Sequence, residues 1–209
     1  MPWNISFRFR HNPAFHASFF KYIPLEVDLN GPVKILRHPV HPMLIVFPLG
    51  LLGTAVIFDL IAMSTNNQGL FGVSYWMIAA GVVGGLLAAI FGFLDWSGIH
   101  SGTRAKRIGG YHGLGNLTVV ILFALSWWMR SNDPNRVPGS LAFTLSLLGF
   151  LLSLVTGWLG GELVYRLGMA VEQGANENTP SSLTTERPTS RQQPQSSDRK
   201  KQTGGRSGG

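Results

Sequence analysis

The sequence predicts an all-α polytopic membrane protein, a four-helix transmembrane bundle followed by a disordered basic tail. Three observations carry that prediction. Four apolar runs each approach the ~20 residues a helix needs to cross ~30 Å of hydrocarbon. The 209 residues are 45% hydrophobic and only 13% charged, with 26 glycines, a balance more typical of a membrane protein than of a soluble domain. Trp76, Trp96, Trp127, Trp128 and Trp158 all fall near the ends of the runs, where amphipathic rings sit at headgroup level.

Residues 1–39 form an N-terminal segment of mixed character. No charged leader followed by an apolar stretch and a small-residue cleavage site is present, so no cleavable signal peptide is expected. The alternation Ile5-Ser6-Phe7-Arg8-Phe9-Arg10 suits a short strand or an interfacial anchor. The membrane domain, residues 40–171, contains helices predicted at about 43–63, 73–96, 112–129 and 141–161. Pro42 fits the first helical turn, whereas Pro48 lies deeper and should bend the first helix near Leu44. Residues 172–209 form the tail: from Ala175 onward there is no aromatic residue, too little apolar surface to offset the entropy of ordering.

The distribution of Lys and Arg gives an orientation. Fifteen lie in the N-terminal segment, the second connection and the region from Glu162 onward, against two, Arg130 and Arg136, in the third connection and none in the first. That asymmetry places both termini in the cytoplasm. It also accounts for the formal charge of +7 without a nucleic-acid partner.

Small residues recur at four-residue intervals. Gly81, Gly85 and Ala89 form one ladder, Gly84, Ala88 and Gly92 a second, and Gly149, Ser153, Gly157 and Gly161 a third. Such ladders let helix backbones approach closely in lipid. They would also admit a flat macrocycle, although close packing accounts for most of them. No internal repeat between the two halves is obvious in the sequence.

With cytoplasmic termini, helix alternation brings His41, Asp95, His112 and Glu162 to one membrane face, with Asn116 about one turn deeper. Asp59 lies eighteen residues beyond His41, about 27 Å along a helix, and belongs to the opposite side. Each residue alone has a structural explanation: Glu162 reaching interfacial water, Asp95 bonding to the backbone that starts the next helix, His41 capping the first. Together they allow three chemistries. His41 and His112 could be axial ligands of a b-type haem, with Asn116 close by and Arg104, Lys106 or Arg107 near the propionates. His41, His112, Asp95 and Glu162 could bind a divalent transition metal. Without a metal, the cluster could pass protons.

The chain has no cysteine, which excludes disulfides, thiolate metal sites and c-type haem attachment. No nucleotide-binding glycine loop, serine nucleophile elbow or DNA-binding motif is present, and no catalytic set is identifiable.

The run His38-Pro-Val-His41-Pro-Met43, the Gly92-Phe-Leu-Asp95-Trp96 segment, the stretch from His112 to Asn116, and Gly157-Trp-Leu-Gly-Gly-Glu162-Leu-Val-Tyr165 resemble a bacterial membrane family catalogued as domain of unknown function 2231. The resemblance spans roughly His38 to Val171. It implies four membrane helices in the bacterial cytoplasmic membrane and no established activity. Association of some relatives with Rieske-type domains implies a redox setting; here any iron-sulfur partner must be another polypeptide. Three functions follow as expectations: a haem b- or metal-binding electron-transfer subunit, a non-catalytic scaffold or assembly subunit that could oligomerise, and, more weakly, a proton-coupled transporter.

Overall fold

A computed structural model describes residues 25–26, 33–35, 38–172 and 175–183. The alternating segment from Ile5 to Arg10 and most of the tail, residues 184–209, lie outside the described residues. The chain divides into two compact units, Met1–Ala170 and Val171–Gly209. In the second, Asn176 and Thr179 close a turn: the Thr179 amide donates to the Asn176 carbonyl at 3.1 Å and the Asn176 amide donates to Thr179 Oγ1 at 2.8 Å.

Among the described residues the first unit begins with a small antiparallel sheet, β1 (Leu25–Glu26), β2 (Lys34–Ile35) and β3 (His38–Pro39), in that spatial order. Leu25 pairs with Ile35, and Ile35 with His38. Strands of two residues carry no readable period and are not legible in the sequence.

A short helix α1 (Val40–Leu44) leads into α2 (Val46–Thr65), followed by α3 (Gly69–Ser97), α4 (Arg104–Arg130) and α5 (Ser140–Gly161). The segments Val40–Thr65, Gly69–Ser97, Arg104–Arg130 and Ser140–Arg166 are each long and apolar enough to cross a membrane. The interruption at Ile45 has the expected cause, because Pro48 has no N–H to offer the Leu44 carbonyl.

One helix start differs from the expected position. Helix α4 begins at Arg104, not near His112, with Thr103 Oγ1 accepting from the Lys106 amide at 3.1 Å. The polar turns from Arg104 to Gly110 continue the helix outside the apolar run, where hydropathy is silent and capping decides. His112 therefore sits more than two turns inside α4.

α2 packs against α3, and α4 against α5, around a core of Leu52, Ala55, Val56, Ile78, Val119 and Phe123. The outward residues are apolar as well: Phe47, Val83, Ile90, Leu114, Leu151 and Leu154 are each at least half exposed, as a lipid-facing surface requires. Trp76, Trp128 and Trp158 face outward as expected. Trp96 and Trp127 instead turn inward: Trp96 Nε1 donates to the Lys106 carbonyl at 3.0 Å, and the Trp127 ring stacks on Tyr75 with centroids 5.4 Å apart.

The glycine ladders work mostly as notches. A Cβ at Gly81 would lie 2.6 Å from Leu52, at Gly85 2.9 Å from Val120, and at Gly149 2.9 Å from Phe123. Gly157 meets nothing, so the lower half of the third ladder is not a packing surface. Because the Phe123 ring is fully buried, Gly149→Ala should overpack the core and cost about 1–3 kcal/mol. Gly72→Ala, where a Cβ meets nothing within 4 Å, should be neutral or stabilising, and thermal unfolding of both variants in detergent checks the contrast.

Candidate functional site

The bundle has a polar cluster at each end. At the end where α1 begins, His41 and His112 meet with ring centroids 6.4 Å apart and planes at 89°. His41 Nδ1 lies 2.9 Å from the Ala88 carbonyl of α3, and His112 Nδ1 lies 2.8 Å from the Thr156 carbonyl of α5. A carbonyl only accepts, so Nδ1 carries a hydrogen in each ring, and in the neutral imidazole the lone pair is on Nε2. Each ring enters a glycine notch one turn farther along the facing helix. A Cβ at Gly92 would lie 2.8 Å from His41 Cε1, and one at Gly160 would lie 3.0 Å from His112 Cε1.

Asn116 Nδ2 is 3.1 Å from His112 Nε2 and also 3.5 Å from Nδ1. A donor in the ring plane on the Nε2 lone pair could not approach Nδ1 so closely. The Asn116 amide therefore lies over the imidazole face, fixed there by Thr156 Oγ1, which donates to Asn116 Oδ1 at 2.9 Å. His41 Nε2 has no hydrogen bond among the described residues. Both Nε2 lone pairs thus lack an in-plane partner. Two imidazoles sharing one metal through bonds of about 2 Å would hold their centroids about 6 Å apart, close to the spacing found.

The two carboxylates go elsewhere. Asp95 Oδ1 accepts the Val33 amide at 2.8 Å, tying the small sheet to the end of α3; it does not bond to the start of α4. Glu162 Oε1 takes Arg104 Nη2 at 2.6 Å from a π-helical turn, Glu162–Arg166. Among the described residues no three His, Asp or Glu side chains gather as a metal-ion site. The set His41, His112, Asp95 and Glu162 is therefore not assembled, because α3 and α5 carry their carboxylates past the histidines to the sheet and to α4. Lys106 Nζ caps the end of α3, 2.8 Å from the Trp96 carbonyl, and lies 4.0 Å from the Trp96 ring centroid. Arg107 is exposed.

At the opposite end an ion pair is sealed inside the bundle. Arg130 of α4 is 1% exposed and Asp59 of α2 is 0% exposed. Arg130 Nη1 donates to Asp59 Oδ1 at 2.9 Å, and Nη2 lies 2.8 Å from Oδ2. That second contact is off the N–H axis and leaves Oδ2 without a hydrogen bond. The Nη2 hydrogens point instead to Ser126 and Ser146 Oγ, each at 3.1 Å, while Nη1 also reaches Ser74 Oγ at 3.4 Å. All four long helices contribute to this knot.

The sequence model of a family described as "Predicted membrane protein (DUF2231)" matches residues 37–173. The chain belongs to that family. No curated protein and no solved structure matches it.

In this DUF2231 protein, sequence reasoning found the histidines but missed the ion pair. Counted along the sequence, Arg130 belongs to the third connection as an orienting charge; in the structure it is the last residue of α4, turned into the core. Asp59 at that end was the only available signal, since a carboxylate inside an apolar run calls for a partner. Removing one partner should be far worse than removing both. Arg130→Met strands a buried carboxylate and should cost about 3–5 kcal/mol, whereas Asp59→Leu with Arg130→Met should regain most of that loss. The serines left behind stay satisfied, as Ser126 Oγ donates to the Ala142 carbonyl at 2.6 Å and Ser146 Oγ to the Phe143 carbonyl at 3.0 Å. Unfolding of the three chains in mixed micelles measures the difference.

Proposed function

We propose that this DUF2231 protein is an integral membrane subunit of a redox system that holds a b-type haem between His41 and His112. The observation that carries this reading is the paired imidazole geometry: centroids 6.4 Å apart, with both Nδ1 atoms bonded to backbone carbonyls and both Nε2 lone pairs without an in-plane partner. Backbone acceptors at Nδ1 fix the tautomer and raise ligand basicity. Of the two metal readings this favours haem over a bare divalent ion. A bare ion would need further protein ligands, and no third His, Asp or Glu joins the pair among the described residues; in a haem the macrocycle supplies the other positions.

When bound, the haem would supply one-electron transfer. The chain's own residues hold the site: Gly92 and Gly160 seat the rings, and Asn116 with Thr156 restrains His112. Arg107, exposed at the same end, would meet a propionate, while Arg104 would do so only by leaving Glu162. One haem at one end leaves the rest of the bilayer uncrossed, so exchange would be local, with a quinone or an iron-sulfur protein. The Lys and Arg asymmetry supports a cytoplasmic placement of this end, and with Arg130 turned into the core Arg136 is the one cation in the two far connections. A proton-coupled transporter loses its main support, since Asp59 is engaged by Arg130.

One observation favours a second reading, a non-catalytic scaffold. The bonds of His41, His112, Asn116 and Thr156 all join different helices or turns and hold the bundle together without any ligand. An oxidised-minus-reduced visible spectrum of protein purified from haem-replete cells separates the two. The redox reading expects a reducible Soret signal that His41→Ala and His112→Ala abolish at unchanged helical content. A colourless, metal-free protein would sink it and leave the scaffold.

A further inference from the structure

We propose that the membrane domain is built from two equivalent helix hairpins, α1–α2–α3 and α4–α5, facing each other across an approximate two-fold axis along the bundle. On this reading Asp59–Arg130 is the lock that makes each hairpin accept the other kind and not a second copy of itself.

The equivalence is read by counting from each histidine. Leu52 and Phe123 both lie eleven residues on and are both buried; Ala55 and Ser126 lie fourteen on and are buried; Asp59 and Arg130 lie eighteen on and are the ion pair. The returning helices match when counted back from the carbonyls that receive the histidines, Ala88 and Thr156. Gly81 and Gly149 both precede those carbonyls by seven residues, Ile78 and Ser146 by ten, Ser74 and Ala142 by fourteen, and all six are buried. Gly92 and Gly160 follow by four and take the imidazoles.

Contacts repeat along with positions. A Cβ at Gly81 would meet Leu52 and the Leu51 Cβ; one at Gly149 would meet Phe123 and the Leu122 Cβ. Leu51 and Leu122 are themselves equivalent. Both hairpins start at the histidine end and run in the same sense, so the axis lies along the bundle, as for parallel repeats in membrane proteins. Sequence identity has almost vanished, which is why composition and spacing did not disclose the repeat.

At the axis a residue faces its own equivalent. At the histidine end the equivalents are identical. At the other end they are opposite in charge, and the polar surroundings follow the arginine: Ser126, Ser146 and Ser74 contact Arg130. The positions equivalent to those serines are Ala55, Ile78 and Ala142. Pairing a hairpin with its own kind would set Asp59 against Asp59 or Arg130 against Arg130 in an apolar interior, burying like charges with no partner. Only the mixed pair satisfies the knot.

Two measurements on the full chain test this. Because the chain has no cysteine, spin labels can be placed freely at lipid-facing positions. The axis maps the pair Ile57 and Leu154 onto Trp128 and Leu86, all exposed, so the 57–154 and 86–128 distance distributions should superimpose; distinct peaks overturn the axis. For the lock, Asp59→Arg with Arg130→Asp should lower the melting temperature. Adding Ala55→Ser, Ile78→Ser, Ala142→Ser, Ser74→Ala, Ser126→Ala and Ser146→Ile, which carries the polar shell across the axis, should restore much of that loss. A mirrored chain no more stable than the simple swap overturns the lock.

Discussion

A buried guanidinium has to be answered at every N–H, and the end of this bundle opposite the histidines is arranged around that demand on Arg130. The answer comes from protein: a carboxylate on α2 and hydroxyls on α3, α4 and α5. Serine suits the task because its hydroxyl can donate back to a helix carbonyl while accepting from arginine. The result couples all four long helices in a region where lipid-facing and core-facing side chains are equally apolar and the hydrophobic effect gives little direction to packing.

The histidine end uses a different device. Each imidazole ties together the outgoing and returning helices of its own hairpin by donating to a carbonyl already engaged in a helix, which retains a second lone pair for the purpose. Glycine makes the approach possible: a Cβ at Gly92 or Gly160 would come within about 3 Å of the imidazole carbon it faces. Close helix packing and presentation of the histidines are therefore one feature. The same notches that bring the backbones together also seat both imidazole rings.

Much of the fold was legible because crossing a bilayer is a local, one-dimensional requirement. The four apolar runs, the Pro48 break and the outward Trp76, Trp128 and Trp158 each depend on a residue and its near neighbours. The start of α4 was missed because hydropathy ends where the headgroups begin, whereas the helix continues to its cap at Thr103. Asp95 and Glu162 were placed at the right end but given the wrong company. Axial position follows from residue count; angular position depends on helix rotation and on what each neighbour presents.

By itself the sequence determined the number of crossings, the family, and which polar residues share an end of the bundle. Only the tertiary structure decided which of them touch: His41 with Ala88, His112 with Thr156, Asp59 with Arg130, and neither carboxylate with the histidines. The physical reason is that insertion into lipid is governed by summed transfer free energy along each segment, a quantity insensitive to order around the helix. Contacts between segments are set by notches, single hydrogen bonds and one ion pair, whose partners are separated by as many as seventy-one residues.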